Sequence, residues 1–331
     1  MVRMASIAFA ALAAAFAAPG PLASKAQSKA PTNAPSGALG EEEQVLAEAK
    51  RRLVVPVAAP ESPGKLRWRA DWEEGSAEAR RRNCPLLIVY SDDKSVGLDS
   101  VEAAVYTKSA FADLCCDCVL LIAYDGSDHK STQRDVAGVK VAWCTRFEVA
   151  CEEHRKLHKL VQERFVAREF WNPLHVFVDG DGNELGRAEG HDVDQARLDR
   201  EYGKARRRLG APLPAGEYAA LMKKLKGIVD GREKGGAAAA DAELGSLVAA
   251  QERVGNDWKS GPLKMKGMVD YVKQLRERIA AEGDALLRVA QARVRRGDVA
   301  GARALLDQTA KSFKELPAGK SAKELLAQLK G

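Results

Sequence analysis

The stretch from Asn172 to Gly190 constrains the fold of this chain more than any other. A mainly apolar run, Leu174–Val178, ends in the sequence Asp-Gly-Asp-Gly, and a second short run follows from Leu185 to Ala188. Adjacent aspartate and glycine residues supply the positive φ angles that a tight hairpin turn needs. The bond between Asn172 and Pro173 stands directly before the first run and can be cis. The pattern predicts a β-hairpin entered through a proline.

Two further apolar runs predict strands, the first of them covered on both faces. Pro85–Tyr90 is continuous in apolar residues, as expected for a central strand, and Cys118–Ala123 is a second continuous apolar strand. Apolar residues at helical spacing, among them Val101 and Val105, lie between these runs. A βαβ unit of this kind is right-handed in nearly all proteins. We therefore expect residues 66–209 to form an α/β domain.

Several segments of this domain resemble the thioredoxin-like superfamily. They are Trp68 with Trp72, the run from Cys84 to Ser91, Glu102–Tyr106, and Asn172–Pro173 with its hairpin. The resemblance implies a thioredoxin-like fold, and Pro173 is the candidate for its cis-proline. It also implies that this loop persists as a fold element or as a surface that binds extended peptides.

One departure from that family bears directly on chemistry. In bacterial members of this type, the first strand usually runs into a loop that carries Cys-x-x-Cys. Ser95 and Leu98 stand at the two corresponding positions in this chain. A serine hydroxyl cannot replace the attacking thiolate, and leucine offers no resolving group. Standard disulfide oxidoreductase activity is therefore not expected at this place.

The chain changes character after residue 209. Prolines and a glycine mark the boundary, and residues 210–331 are rich in Ala, Leu, Lys and Arg at helical spacing. A helix, a Gly297-Asp298 turn, a second helix, Pro317 and a final helix resemble a tetratricopeptide-like hairpin. A plain helical bundle is the alternative. Either way, the second domain is predicted to be all-α.

The first 26 residues have the layout of a secretory signal peptide. Arg3 precedes a largely apolar stretch from Ala5 to Ala18, and small residues around Lys25 offer a cleavage site. Residues 27–65 are then a linker with one short helix. The mature protein is expected to be extracytoplasmic, either periplasmic or secreted, with no integral membrane segment. An uncleaved N-terminal anchor is the alternative.

Charge argues against a nucleic-acid partner. The formal net charge is +6, and removing residues 1–26 takes away Arg3 and Lys25, which leaves +4. The runs Arg80–Arg82 and Arg206–Arg208 lie at the ends of expected helices and are interpreted as solvated faces, because no aromatic residues alternate with them. We expect a protein partner instead.

A second group of polar residues precedes the proline strand. Cys144, Cys151, His154 and His158 are spaced so that the last three lie on one face of an expected helix. Three interpretations stay open: a structural disulfide between Cys144 and Cys151, a Cys₂His₂ metal site, or redox-active thiols supported by His154. The remaining cysteines are expected to pack in the core, although a bond from the Cys115–Cys118 segment to Cys84 is conceivable.

The preferred function from the sequence is non-catalytic. The replaced motif and the helical appendage together predict a thioredoxin-fold protein that binds or scaffolds other proteins, without a cofactor. An atypical thiol–disulfide oxidoreductase that uses Cys144, Cys151 and His154 is the first alternative. A metal-binding protein that uses these residues and His158 is the second.

Overall fold

The computed structural model describes most of the chain that follows the predicted signal peptide. The signal peptide, much of the predicted linker and Ser95 lie outside the described residues. Across the part that is described, no helix is long and apolar enough to cross a membrane. The described residues are 37–56, 66–92, 97–125, 129–136, 139–166, 170–258 and 260–329.

Helices and strands alternate through the first part of the chain. In chain order they are α1 (Gly37–Arg52), α2 (Trp72–Arg82), β1 (Leu86–Ser91), α3 (Gly97–Val101), a π-helical turn (Glu102–Tyr106), α4 (Ser109–Cys116), β2 (Val119–Tyr124), β3 (Ser131–Val136), β4 (Val139–Cys144) and β5 (Val149–Ala150).

A helix, a hairpin and a run of helices follow. They are α5 (Cys151–Phe165), β6 (Leu174–Val178), β7 (Glu184–Glu189), α6 (Gln195–Leu209), α7 (Ala215–Gly235), α8 (Ala237–Val254), α9 (Lys266–Arg295), α10 (Val299–Ser312) and α11 (Pro317–Gln328).

The main sheet is four-stranded and has the order β2-β1-β6-β7. β1 and β2 are parallel, whereas β6 pairs antiparallel with both β1 and β7. Every residue of β1, β2 and β6 is buried. Alternate side chains of β1 enter two different apolar clusters, one that includes residues of α4 and α6 and one that includes residues of α2 and α5. The prediction of a central strand covered on both faces is thus confirmed.

The hairpin is confirmed as well. The Asn172–Pro173 peptide bond is cis, and β6 starts directly after it. At the turn, the Asp179 carboxylate accepts hydrogen bonds from the backbone N–H groups of Asp181 and Asn183, both at 2.9 Å. Gly182 has a φ of 88°, which a glycine adopts without strain.

A small second sheet is formed by residues that come between β2 and β6 in the sequence. It has the order β3-β4-β5, and every residue of β3 is exposed. The sequence pattern gives no indication of this second sheet. Because β3 reads Ser-Thr-Gln-Arg-Asp-Val, it carries no alternation of apolar residues from which a strand could be inferred.

The region after α6 is helical, as predicted. α7, α8 and α9 share one apolar cluster with residues around Leu53 and Phe313, and α9, α10 and α11 share a second, smaller one. α7 and α8 are separated at Gly236, whose φ is 86°, and Pro317 begins the last helix. Whether these helices form tetratricopeptide-like repeats stays a prediction.

The arginine run at the end of α2 differs from the sequence expectation. Arg80 is half exposed, but Arg81 and Arg82 are buried, so the interpretation as a solvated face was wrong for these two residues. Arg82 Nη1 donates to the carboxylate of Glu78 at 3.0 Å, and Arg82 Nε donates to the carbonyl of Leu213 at 3.2 Å. Its guanidinium group also donates to the carbonyls of Cys116 and Cys118. Tertiary contacts have overridden the surface preference of arginine.

Arg81 makes the neighbouring contact with the helical region. Its Nε donates to the hydroxyl of Tyr218 on α7 at 2.8 Å, and its guanidinium lies 4.9 Å from the ring centre of Tyr271 on α9. α2 therefore packs on the sheet with one side and on the helical region with the other.

Candidate functional site

Ser95 and Leu98, the positions selected by the family resemblance, follow β1 in the sequence. Ser95 lies outside the described residues. Leu98, in α3, is 2% exposed and belongs to the apolar cluster that covers one face of the sheet. Leu98 is therefore a core residue.

A polar contact links the end of β1 to the cis-proline loop. The side-chain amide of Asn172 donates to the carboxylate of Asp92 at 2.7 Å. Trp171, directly before Asn172, is 69% exposed, and its carbonyl accepts a hydrogen bond from the backbone of Gly190 at 2.9 Å. An exposed indole ring can bury its apolar face against a partner and can still donate a hydrogen bond through its N–H group. Trp171 therefore suits an interface. Trp171, Asn172 and Pro173 are hereafter called the proline edge.

The six cysteines are all thiols and fall into two environments. Cys118 directly precedes β2, and Cys84 stands two residues before the start of β1. Both lie at the opposite end of these strands from the proline edge and are buried in apolar clusters. Burial raises the pKa of Cys84 to about 12 and raises that of Cys118 well above its ordinary value. Cys115 is also buried, whereas Cys116 is exposed. The thiols of Cys84 and Cys118 are therefore unreactive by burial.

The other two cysteines meet two histidines. His129, Cys144, Cys151 and His154 form what we call the Cys/His cluster. His129 Nε2 lies 3.1 Å from Cys151 Sγ and 3.4 Å from His154 Nε2. Ligand atoms of His129, Cys144 and His154 all lie within 4.8 Å of one another.

Local structure explains how these four side chains converge. Cys144 is paired with Val149 across the β4–β5 turn, where the backbone of Glu148 donates to the carbonyl of Cys144 at 3.0 Å. Cys151 comes two residues after Val149, so it returns to the face of Cys144. His154 follows three residues later on the same face of α5.

His129 reaches the cluster through the second sheet. Ser131 lies opposite Cys144 in the β3–β4 pairing, and the backbone of Thr145 donates to the carbonyl of Lys130 at 3.2 Å. This pairing holds the residue before Lys130 next to the end of β4. His129 cannot be found from the helical spacing of Cys151 and His154, because it lies outside α5. A signal was available, since a histidine in the loop after a parallel strand faces the carboxyl edge of the sheet.

The orientation of His154 is fixed by the main sheet. Its Nδ1 lies 2.6 Å from the carbonyl oxygen of Tyr124, the last residue of β2. A carbonyl can only accept, so Nδ1 carries the proton, and the neutral ring has its lone pair on Nε2, toward the cluster. Tyr124 is paired with Ser91, the last residue of β1. The Cys/His cluster thus lies at the edge of the sheet where β1 and β2 have their carboxyl ends.

His158 does not join this group. Its ring stacks on Tyr90, with the ring centres 4.4 Å apart and the planes 17° from parallel. Burial lowers the pKa of His158 below its ordinary value. Of the four residues selected from the sequence, the structure therefore brings Cys144, Cys151 and His154 together and places His158 one turn further along α5.

Aromatic rings cover the buried part of the cluster, whereas His129 is partly exposed. Cys144, Cys151 and His154 are each at most 1% exposed. The ring of Tyr124 lies 5.8 Å from that of His154 and 5.5 Å from that of Phe147, measured between centres. Burial and the neighbouring Cys144 raise the pKa of Cys151. A thiolate at this position therefore requires a positive charge close to it.

Comparison with known proteins adds little to this description. No protein-family model matches the chain, and no curated protein sequence matches it. A solved structure described as "DsbH Oxidoreductase" is similar to it with a TM-score of 0.32 and 12% sequence identity. The similarity covers 47% of this chain and 98% of that chain. A likeness at this TM-score carries no argument about activity.

Proposed function

We propose that this chain is an exported protein with a thioredoxin-like domain that binds extended segments of other proteins at the proline edge. It does not act as a standard disulfide oxidoreductase. The fold assignment is supported by the way β1, β2 and the β6–β7 hairpin followed by α6 combine in one sheet. This is the combination that the family resemblance implies.

The residues at the carboxyl end of β1 and at the proline edge support the proposal of peptide binding. Where the family motif would place a second cysteine, Leu98 is part of the core. The side chain of Trp171 is available to a partner, and Asn172 is held by Asp92. An exposed aromatic on a loop fixed by hydrogen bonds can contact a partner with little loss of conformational entropy.

A binding measurement with a matched variant tests this function. The mature protein is titrated with a reduced and alkylated, unfolded polypeptide, and Trp171→Ala is compared with Val139→Ala, which removes another large exposed side chain. We expect Trp171→Ala to weaken binding at least about tenfold, as for an interface hot spot, and Val139→Ala to leave it unchanged. Equal affinities for the wild type and Trp171→Ala would contradict the proposal.

The export part of the proposal has its own test. It depends on residues 1–26 alone, which resemble a signal peptide in composition. Mass spectrometry of the protein from extracytoplasmic fractions should find a chain that starts near residue 27. A chain that retains residues 1–26 in the membrane fraction would instead support the N-terminal anchor.

A second candidate function rests on the contact between His129 and Cys151. Cys151 is the first residue of α5, and a thiolate at a helix N-terminus next to an imidazole can attack a disulfide. In such a reaction Cys144 and Cys151 would be oxidised to a disulfide while the substrate disulfide is reduced to two thiols. Insulin reduction by dithiothreitol measures this activity, and Cys151→Ser should abolish any rate above background. A rate equal to that of the uncatalysed reaction excludes this candidate.

A further inference from the structure

We propose that His129, Cys144, Cys151 and His154 bind one zinc ion in a tetrahedral site with two sulfur and two nitrogen ligands. The inference goes beyond polypeptide binding at the proline edge and does not depend on it. It differs from the metal site expected from the sequence because His129 takes the place of His158.

The spacing of the two histidine nitrogens supports this assignment. With zinc–nitrogen bonds of about 2.0–2.1 Å in a tetrahedron, two nitrogen ligands lie about 3.3 Å apart. His129 Nε2 and His154 Nε2 are 3.4 Å apart. The two Nε2 atoms are thus already separated by the distance expected between two nitrogen ligands of such a site.

One sulfur atom, that of Cys144, already lies among the histidine ligand atoms, and the other, that of Cys151, contacts His129. A tetrahedral site places sulfur and nitrogen ligands about 3.5 Å apart. Cys151 Sγ is 3.1 Å from His129 Nε2, and Cys144 Sγ lies within 4.8 Å of both histidine ligand atoms. Cys151 Sγ is not part of the group whose ligand atoms all lie within 4.8 Å of one another, so rotation about its χ1 has to bring it closer to Cys144 and His154 for the site to close.

The hydrogen bond to Tyr124 prepares His154 for a metal. Metal-binding histidines typically donate their other ring N–H to a carbonyl or carboxylate, which fixes the tautomer and the ring orientation. The contact between His154 Nδ1 and the Tyr124 carbonyl oxygen, at 2.6 Å, has this form. The nitrogen that faces Cys144 and His129 is therefore the one that can bind a cation.

Charge balance favours zinc in this buried place. Two thiolates neutralise the double positive charge of Zn²⁺, so the complex with two neutral imidazoles carries no net charge and can be enclosed by aromatic rings. Calcium and magnesium prefer oxygen ligands, which this cluster does not provide. Four protein ligands also leave no open position, so the ion should hold His129, β4 and α5 together rather than catalyse a reaction.

Metal content and cobalt spectroscopy of the mature protein test the inference. Protein purified without chelator is expected to contain one equivalent of zinc, and the metal-free protein should rebind one. Cobalt added in its place should give a thiolate-to-cobalt charge-transfer band and the intense visible bands of tetrahedral Co²⁺. An octahedral cobalt spectrum, or zinc far below one equivalent in both experiments, would overturn the proposal. The cobalt spectrum needs no variant.

Two matched variants locate the site. His129→Ala should weaken zinc binding at least about 100-fold, because loss of an outer hydrogen-bond partner alone costs 10- to 100-fold. The control variant is His158→Ala. His158 lies on the same helix as His154 but outside the cluster, so this variant should leave the zinc affinity unchanged. Equal effects of the two variants, or a Cys144–Cys151 disulfide in the native protein that excludes metal, would contradict the proposal.

Discussion

The two ends of the parallel pair β1 and β2 carry cysteines in opposite chemical settings. At the amino ends, Cys84 and Cys118 belong to apolar clusters, with the buried Arg82 nearby. Beyond the carboxyl ends, Cys144 and Cys151 lie next to imidazoles that the carbonyl of Tyr124 and the second sheet orient. All four thiols are buried, so burial alone does not distinguish them.

The difference shows that the neighbours of a thiol determine its chemistry. A thiol in hydrocarbon stays protonated and contributes packing, as a small apolar side chain does. A thiol next to neutral imidazoles can exchange its proton for a soft cation. Parallel strands favour such an arrangement, since loops from neighbouring strands meet at their carboxyl ends.

The largest expected contrast is in the rate of alkylation. With a pKa of about 12, only about one Cys84 thiol in 10,000 is ionised at pH 8, compared with about one in four for an ordinary thiol. Cys84 should therefore react at least about 1,000-fold more slowly in the native protein than in denaturant. Cys116 is exposed and should react at similar rates in both.

Measuring the alkylation rates again with added zinc tests which cysteines bind the metal. Added zinc should slow the alkylation of Cys144 and Cys151 and leave the rates of Cys84 and Cys116 unchanged. Peptide mass spectrometry after timed quenching resolves the four sites. Uniform protection of all four cysteines would indicate general stabilisation and would remove the distinction between the two ends.

A histidine that is buried elsewhere provides the next contrast. His175 on β6 contacts the hydroxyl of Tyr106 through Nε2 at 2.5 Å, and burial lowers its pKa to about 4. The unfolded chain, with a histidine pKa near 6.5, binds this proton more tightly than the native state does. His175 should therefore reduce the free energy of unfolding by about 3 kcal/mol as the pH falls from 6.5 to 4.

The comparison of wild type with His175→Gln isolates this contribution. Urea unfolding of both proteins between pH 4 and 7 gives the difference in stability at each pH. The wild type should lose stability more steeply on acidification than the variant. Parallel pH profiles would show that His175 is protonated equally in the two states.

Thermal unfolding separates the two groups of thiols by their response to zinc. At free zinc 100 times the dissociation constant, the native state gains about 2.7 kcal/mol, or about 5 °C in Tm for a chain of this size. Cys84→Ala should lower Tm by leaving a cavity, but it should retain the increase with zinc. Cys144→Ala should lose that increase. A zinc response in Cys144→Ala equal to that of the wild type would contradict the cluster.

The smallest effect concerns His158. Replacement by leucine removes the stacking contact with Tyr90 and should lower the free energy of unfolding by about 1 kcal/mol. Because His158 lies outside the cluster, zinc affinity should not change. Isothermal titration of the metal-free variant checks this, and a clear loss of affinity would return His158 to the candidate ligands.

Much of the main sheet could be predicted from the sequence, because its signals are local. The apolar runs of β1 and β2 are continuous, and the turn after β6 has residues that only a few turn types accept. The second sheet could not be predicted in this way. β3 is exposed and polar, and its strand conformation comes from pairing with β4 rather than from an apolar face.

The candidate site was predictable only where one helix carries it. Cys151 and His154 share a face of α5, which their spacing reveals. His129 and Cys144 are brought to that face by strand pairing, and pairing depends on contacts between residues far apart in sequence. The helical period could not distinguish His154 from His158 either. His158 stacks on Tyr90, a residue of β1, and this contact joins residues that are far apart in the sequence.

The buried Arg82 has a consequence for how the chain can be divided. Its guanidinium takes carbonyl partners from the segment before β2 and from Leu213, which lies beyond the predicted boundary at residue 209. A fragment that stops at residue 209 would leave part of a buried cation without acceptors and would expose the side of α2 that packs on α9. In evolutionary terms, the α/β domain and its helical region can be inherited together more easily than either can be exchanged alone.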